Sequence, residues 1–250
     1  MSGHSHYATI HRAKEANDAQ RGKAFSKIAR EIAIAVRLGG GPDLDSNSKL
    51  RVAIEHARGV NMPKDNVERA ISKASSTAEN LEQVIYEGFG PSGVGIMVDV
   101  ATDNRNRTGQ EVKNILERGG GSLAGPGAVS FNFEQKGLIV VKRQSDSQDQ
   151  MLRLIDAGVD DLEESVDGIE VYISPDKLSS TRGELEAKGF EVESAELIQR
   201  PKSFVTIDNE NTASKILNLL EKLDDHDDVQ KVFANIDIPE DVLKKIPSNN

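Results

Sequence analysis

Val94-Gly95-Ile96-Met97-Val98-Asp99-Val100-Ala101, continuing into Thr102-Asp103-Asn104-Arg105-Asn106-Arg107-Thr108, decides how the chain is read. The first segment is apolar and β-branched, of strand length and too short for a typical helix, so it predicts a buried strand. The second is polar throughout and carries both Arg105 and Arg107. Beyond it, Val112, Ile115 and Leu116 recur at helical spacing, and Arg118-Gly119-Gly120-Gly121 supplies the basic residue and glycines that end a helix. Thr108 with Glu111 three residues on predicts a capping box. The amides of Gly109 and Gln110 would then point out of the helix start, between the two arginines, in a site suited to phosphate. The competing reading is a polar loop of Asx turns with solvated arginines.

Working outward, Gln83 to Phe89 reads as a strand. Gly88-Phe89-Gly90-Pro91-Ser92-Gly93 matches the dinucleotide fingerprint by letter, but a strand rather than a helix follows it, so a hairpin turn is predicted. Gly125-Pro126-Gly127 turns the chain into Val129 to Phe133, an alternating strand. After Gly137 come strand Leu138–Lys142, helix Ser147–Ala157, strands Asp161–Ser165 and Ile169–Ile173, helix Pro175–Lys188 and strand Phe190–Gln199. That β-α-β-β-α-β order suggests a split βαβ, ferredoxin-like unit. Strand Phe204–Ile207, helix Thr212–Leu223 and strand Val229–Ala234 are expected to finish the sheet begun at Gln83. Asp224-Asp225-His226-Asp227-Asp228 invites a metal reading, yet bunched acids at a helix end are more often a solvated turn, and that is the expectation.

Upstream, Ser2 to Lys14 has little apolar content and predicts an extended arm carrying His4, Tyr7, Arg12 and Lys14. Three amphipathic helices follow. Residues 16–38 place Phe25, Ile28, Ala29 and Ile32 on one side; residues 48–58 place Leu50, Ala53, Ile54 and Ala57; and Asn61-Met62-Pro63-Lys64-Asp65-Asn66 opens the third, with Pro63 at the first helical position. Arg21, Lys23, Lys27 and Arg30 form a basic stripe on the first helix, which also fits the solvated face of a bundle. The fold class is α+β with three domains: a helical bundle over 1–76, a middle α+β domain over 77–134 and 203–240, and a ferredoxin-like domain inserted over 135–202.

The 250 residues include no cysteine, which excludes disulfides, thiolate metal sites and a cysteine nucleophile. No apolar run approaches a membrane span and no hydrophobic signal region opens the chain, so a cytoplasmic protein is expected. The net charge of −10 is divided unequally: residues 1–75 hold 13 Lys and Arg against 8 Asp and Glu, and the remainder 18 against 33. A basic front on an acidic body favours oriented docking on a polyanion. The candidate nucleic-acid residues are His4, Tyr7, Arg12, Lys14, Arg21, Lys23, Lys27, Arg30, Asn104, Arg105, Asn106 and Arg107. No glycine-rich phosphate loop leads into a helix and no Ser-His-Asp signature occurs, so neither catalysis nor a cofactor or metal is expected.

Gly3-His4-Ser5, the Asp18 to Lys23 stretch, Asn61 to Asn66, Tyr86-Glu87-Gly88 and Thr102 to Thr108 together resemble the YebC family, which includes a mitochondrial translational activator. The first half of the chain carries these motifs, while length and domain order fit throughout. Two departures stand out: the family typically has Lys-Trp where this chain has His6-Tyr7, and Lys-His-Arg where it has Ile10-His11-Arg12, so the arm is less basic here. The resemblance implies the same three-domain plan and a non-catalytic role in gene expression. It implies a ribosome-associated translation factor that relieves stalling at proline-rich stretches, with ribosomal RNA, and tRNA or nascent chain, as partners; the alternative is a DNA-binding transcriptional regulator. A monomer is expected.

Overall fold

The computed structural model describes residues 18–76, 81–144, 146–165 and 168–246. Helices α1 (Asp18–Leu38), α2 (Ser48–Gly59) and α3 (Lys64–Ser76) form the helical unit. Its core takes Ile28, Ile32, Leu50, Ala53 and Ala57 from the faces that helical spacing selects, with Phe25, Ala29 and Ile54 partly buried against it and Val67 added from α3. Asn47, fully buried, sets the corner between α1 and α2. Its side-chain oxygen caps Leu50 N–H at 2.9 Å, and its amide group donates to the Ala35 and Gly41 carbonyls at 2.8 and 2.7 Å. Asn61 takes a left-handed φ of 56°, which asparagine tolerates, and Met62 turns inward ahead of Pro63.

The middle sheet has the order β3-β1-β2-β9, built from β1 (Glu82–Phe89), β2 (Gly95–Thr102), β3 (Ser122–Ala124) and β9 (Val229–Ala234). The quoted apolar run is its buried β2. Val94, Ile96, Val98 and Val100 face Val112 and Leu116 of α4 (Arg105–Arg118) and Ile216, Leu219 and Leu220 of α7 (Glu210–Asp224). Glycines set the approach distances. A Cβ on Gly88 would lie 2.7 Å from the Ser122 carbonyl oxygen, and one on Gly119 2.6 Å from Leu219. The β1–β2 connection is the predicted hairpin.

The second sheet contains β4 (Phe133–Val141), β5 (Asp161–Glu164), β6 (Ile169–Ile173) and β7 (Val192–Pro201) in the order β5-β6-β4-β7, all antiparallel. Helices α5 (Ser147–Asp156) and α6 (Leu178–Ala187) complete the split βαβ order, with Leu154 and Leu185 buried against the sheet. The fold is thus α+β, with an N-terminal helical region, as the patterning predicted.

Two strand expectations are corrected. Val129 to Phe133 is not a strand: Ser130–Asn132 forms a 3₁₀ turn, because the buried Glu87 carboxylate takes the amides of Gly127, Val129 and Ser130 that a ladder would need. The strand instead runs without interruption from Phe133 through Gly137, where Ile173 and Leu178 crowd the backbone and leave no room for a side chain. Phe204 to Ile207 does not join the middle sheet either; β8 (Val205–Thr206) pairs parallel with β10 (Ile236–Asp237) in a sheet of its own. Among the described residues no helix is long and apolar enough to cross a membrane.

Candidate nucleic-acid interface

Helix α4 begins four residues earlier than the capping-box reading placed it. Asn104, at φ −144° and ψ 90°, is the N-cap, and its side-chain oxygen accepts from Arg107 N–H at 3.1 Å. Its own N–H donates to Thr102 Oγ1 at 2.9 Å, so the last strand residue fixes the cap in place. Arg105 and Arg107 therefore lie in the first helical turn, and Thr108 lies within the helix, fully buried. Glu111 turns to His226 Nε2 at 2.9 Å instead of reaching back to Thr108. The capping box at Thr108 is thus overturned, because an asparagine in extended backbone outcompetes a threonine further along.

Released from capping, Thr108 belongs to a hydrogen-bond chain. The Thr102 hydroxyl lies 2.8 Å from Thr108 Oγ1, and the Thr108 hydroxyl donates to Asp228 at 2.7 Å. Arg107 donates to the same Asp228 oxygen at 2.8 Å and also to Asp103 at 2.9 Å. The other Asp228 oxygen accepts from Arg30 of α1 at 2.7 Å. Burial pushes the Asp228 carboxyl up, but the Thr108 hydroxyl and the Arg107 and Arg30 guanidinium groups outweigh it and hold the group below the usual aspartate value. Lys27 donates to both the side chain and the carbonyl of Asp224, at 2.7 and 2.6 Å, and Arg30 also donates to the Asp227 carbonyl. The stretch 224–228 is accordingly only in part the solvated turn expected: Asp225 and Asp227 are exposed, whereas Asp224 and Asp228 are engaged. It is the acidic half of the joint between the helical unit and α4, and Asp228 is only 5% exposed.

Tyr86 supports the other side of the helix start. Its hydroxyl donates to the Arg105 carbonyl at 2.7 Å, and its ring lies against Gly109, where a Cβ would come within 3.1 Å of the hydroxyl oxygen. Arg105 and Asn106 are exposed, and Arg105 has no carboxylate partner among the described residues.

Of the residues proposed from sequence, the structure brings together Lys27, Arg30 and Arg107 around the acidic turn, leaves Arg105 and Asn106 exposed beside it, and uses Asn104 as the cap. Arg21 and Lys23 lie on α1 with side chains outside the described residues, as do His4, Tyr7, Arg12 and Lys14 altogether. Sequence reasoning did not assign Asp228, Asp224 or Tyr86 to the site. The bunching of acids in 224–228 and the Tyr86-Glu87-Gly88 motif were the available signals.

Glu111, His226 and Asp228 offer ligand atoms within 4.8 Å of one another. They do not fit a divalent cation. His226 Nδ1 accepts from Asp228 N–H at 3.1 Å while Nε2 faces Glu111, and both Asp228 oxygens already face guanidinium groups.

Family models extend this comparison to nearly the whole chain: the TACO1/YebC protein N-terminal domain matches residues 5–77, and the TACO1/YebC second and third domain matches residues 81–236. The chain belongs to the TACO1/YebC family. Among its relatives, a probable transcriptional regulatory protein of Dictyoglomus turgidum is 44% identical over 250 residues, covering 98% of this chain and 100% of that one. Another of that description, from a Sulfurihydrogenibium species, is 46% identical, covering 98% and 99%. The crystal structure of a conserved hypothetical protein from Aquifex aeolicus superposes with a TM-score of 0.84 at 44% identity, covering 91% of this chain and 95% of that chain.

Proposed function

We propose that this member of the TACO1/YebC family is a non-catalytic regulator of gene expression that docks on ribosomal RNA through the start of α4 and the basic side of α1, and supports translation through proline-rich stretches. The observation that carries the reading is Arg105: an exposed guanidinium on the first turn of a 14-residue helix, on the positive end of its dipole, with no carboxylate partner among the described residues. A guanidinium at the positive end of a helix suits phosphate, which supports a folded RNA backbone as its target.

Sucrose-gradient co-sedimentation with ribosomes, comparing wild type with Arg105→Ala, tests the reading, and the variant is expected to pellet less and to translate a proline-rich reporter less well. Arg105 is the informative choice because Arg107 also ties the domain joint. Unchanged association and unchanged reporter translation would count against the ribosomal role.

The relatives' names favour a second reading, a DNA-binding transcriptional regulator. A footprint on a defined promoter that survives salt better than bulk DNA binding would establish it.

A further inference from the structure

The core of the helical unit draws only on residues of that unit. Side-chain bonds of charged groups tie it to the rest, among them Lys27 to Asp224, Arg30 to Asp227 and Asp228, and Glu55 to Arg182 at 2.8 Å. Two of these three connections end on one five-residue turn, Asp224–Asp228, and engage two of the basic residues that the sequence marks for a polyanion. At its end, Asp228 receives a guanidinium from α1, a second guanidinium from α4 and a threonine hydroxyl, which is the donor set that a phosphate group takes.

We propose that the acidic turn Asp224–Asp228 is a built-in phosphate mimic: it holds the helical unit closed over the start of α4, and a nucleic-acid backbone displaces it from Lys27 and Arg30 as the unit opens. This rests on the proposed function above for the identity of the displacing ligand. The closed state itself does not depend on that identity: it is read from the ion pairs between α1 and the turn. Such pairs weaken with salt and yield to a competing polyanion, whereas an apolar joint would not.

The chain has no cysteine, so a donor–acceptor dye pair can be placed at Ser72→Cys on α3 and Lys222→Cys on α7, both exposed. In the full-length labelled protein, energy transfer is expected to fall when salt is raised and when a structured RNA hairpin is added. The decisive feature is a difference in sign between two variants. Asp224→Asn removes the charge that pairs with Lys27 while keeping the lysine and its bond to the Asp224 carbonyl, so it loosens the joint and tightens hairpin binding by up to about fivefold, the upper range of one solvent-screened ion pair. Lys27→Ala also opens the joint but weakens binding. The swapped pair Lys27→Asp with Asp224→Lys recloses the joint without restoring affinity, and it covers the case in which a single variant folds poorly. Equal effects of Asp224→Asn and Lys27→Ala on affinity, or energy transfer indifferent to both, would overturn the mimic. Tight hairpin binding with an unchanged dye distance would overturn it while leaving the proposed function intact. Binding of neither RNA nor DNA by any form would remove the proposed function and the mimic with it.

Discussion

Glu87 shows how one buried charge can shape a loop that hydrophobic patterning cannot reach. It sits between Tyr86 and Gly88 on β1, and the three consecutive residues act in different directions: Tyr86 on the start of α4, Glu87 on the loop ahead of β4, Gly88 against Leu116 and the Ser122 carbonyl. Burial pushes the Glu87 carboxyl up, but N–H groups from Val129, Gly127 and Ser130, at 2.7 to 2.9 Å, hold it below its ordinary value. A depressed carboxylate contributes stability that is present above its unfolded value of 4.5 and lost as pH falls through the folded one. Glu87→Gln replaces one acceptor oxygen by an amide NH2 that faces a backbone N–H donor. The expected cost is about 2–3 kcal/mol by urea unfolding at neutral pH, with a shallower loss of stability in acid than wild type. Gly88→Ala, whose new carbon would meet backbone at 2.7 Å, is expected to cost about 1–3 kcal/mol in the same assay.

At the scale of elements, helix starts expose what a sequence hides and what it shows. Asn47 caps α2 and also bridges the end of α1, so Asn47→Ala removes a cap and the side-chain donor to two carbonyls, of which Ala35 keeps the Gly39 N–H. The expected loss is about 2–3 kcal/mol, read as faster amide exchange across residues 18–76 in the full chain while β1 and β2 stay protected. The helices of the bundle and the β-α-β-β-α-β order were legible because apolar periodicity is local and survives in one strand or helix at a time. The cap of α4 was not, because Asn104 and Thr108 are both good caps and the choice between them depends on Thr102 and on Asp228, 120 residues beyond Thr108. The acidic turn was misread for the same reason. Bunched acids look solvated until the arginines that meet them are brought in from α1 and α4. The loop of Val129 to Asn132 kept a strand-like alternation, and only a carboxylate from another strand diverts its amides.

For the molecule as a whole, charged side chains meet between the units, and the acidic turn is not the only such place. Lys231 on β9 of the middle sheet donates to Glu196 on β7 of the inserted domain at 2.8 Å, while Glu31 and His56 of the helical unit pair at 2.8 Å within their electrostatic range. Asp99 on β2, bonded to Gln83, completes the group. Burial lowers the His56 imidazole, but the Glu31 hydrogen bond and charge prevail, helped by Glu196 and opposed by Lys231, and raise it above 6.5. Burial raises Glu31 in turn, and His56 overcomes that to bring it below 4.5. A raised histidine contributes stability that is full below 6.5 and lost as pH climbs through the folded value, while a depressed glutamate contributes above 4.5. The pair is therefore strongest between those two values and fades on the alkaline side. Its side chains are 34% and 31% exposed, so solvent screening keeps the gain at or below about 1 kcal/mol, or roughly 2–4 °C in a melting midpoint. Wild type is expected to melt lower at pH 8 than at pH 6 by that amount, and His56→Gln to lose the difference between the two. A variant that keeps the full alkaline drop would place its origin outside the Glu31–His56 pair and leave that pair without a part in holding the helical unit.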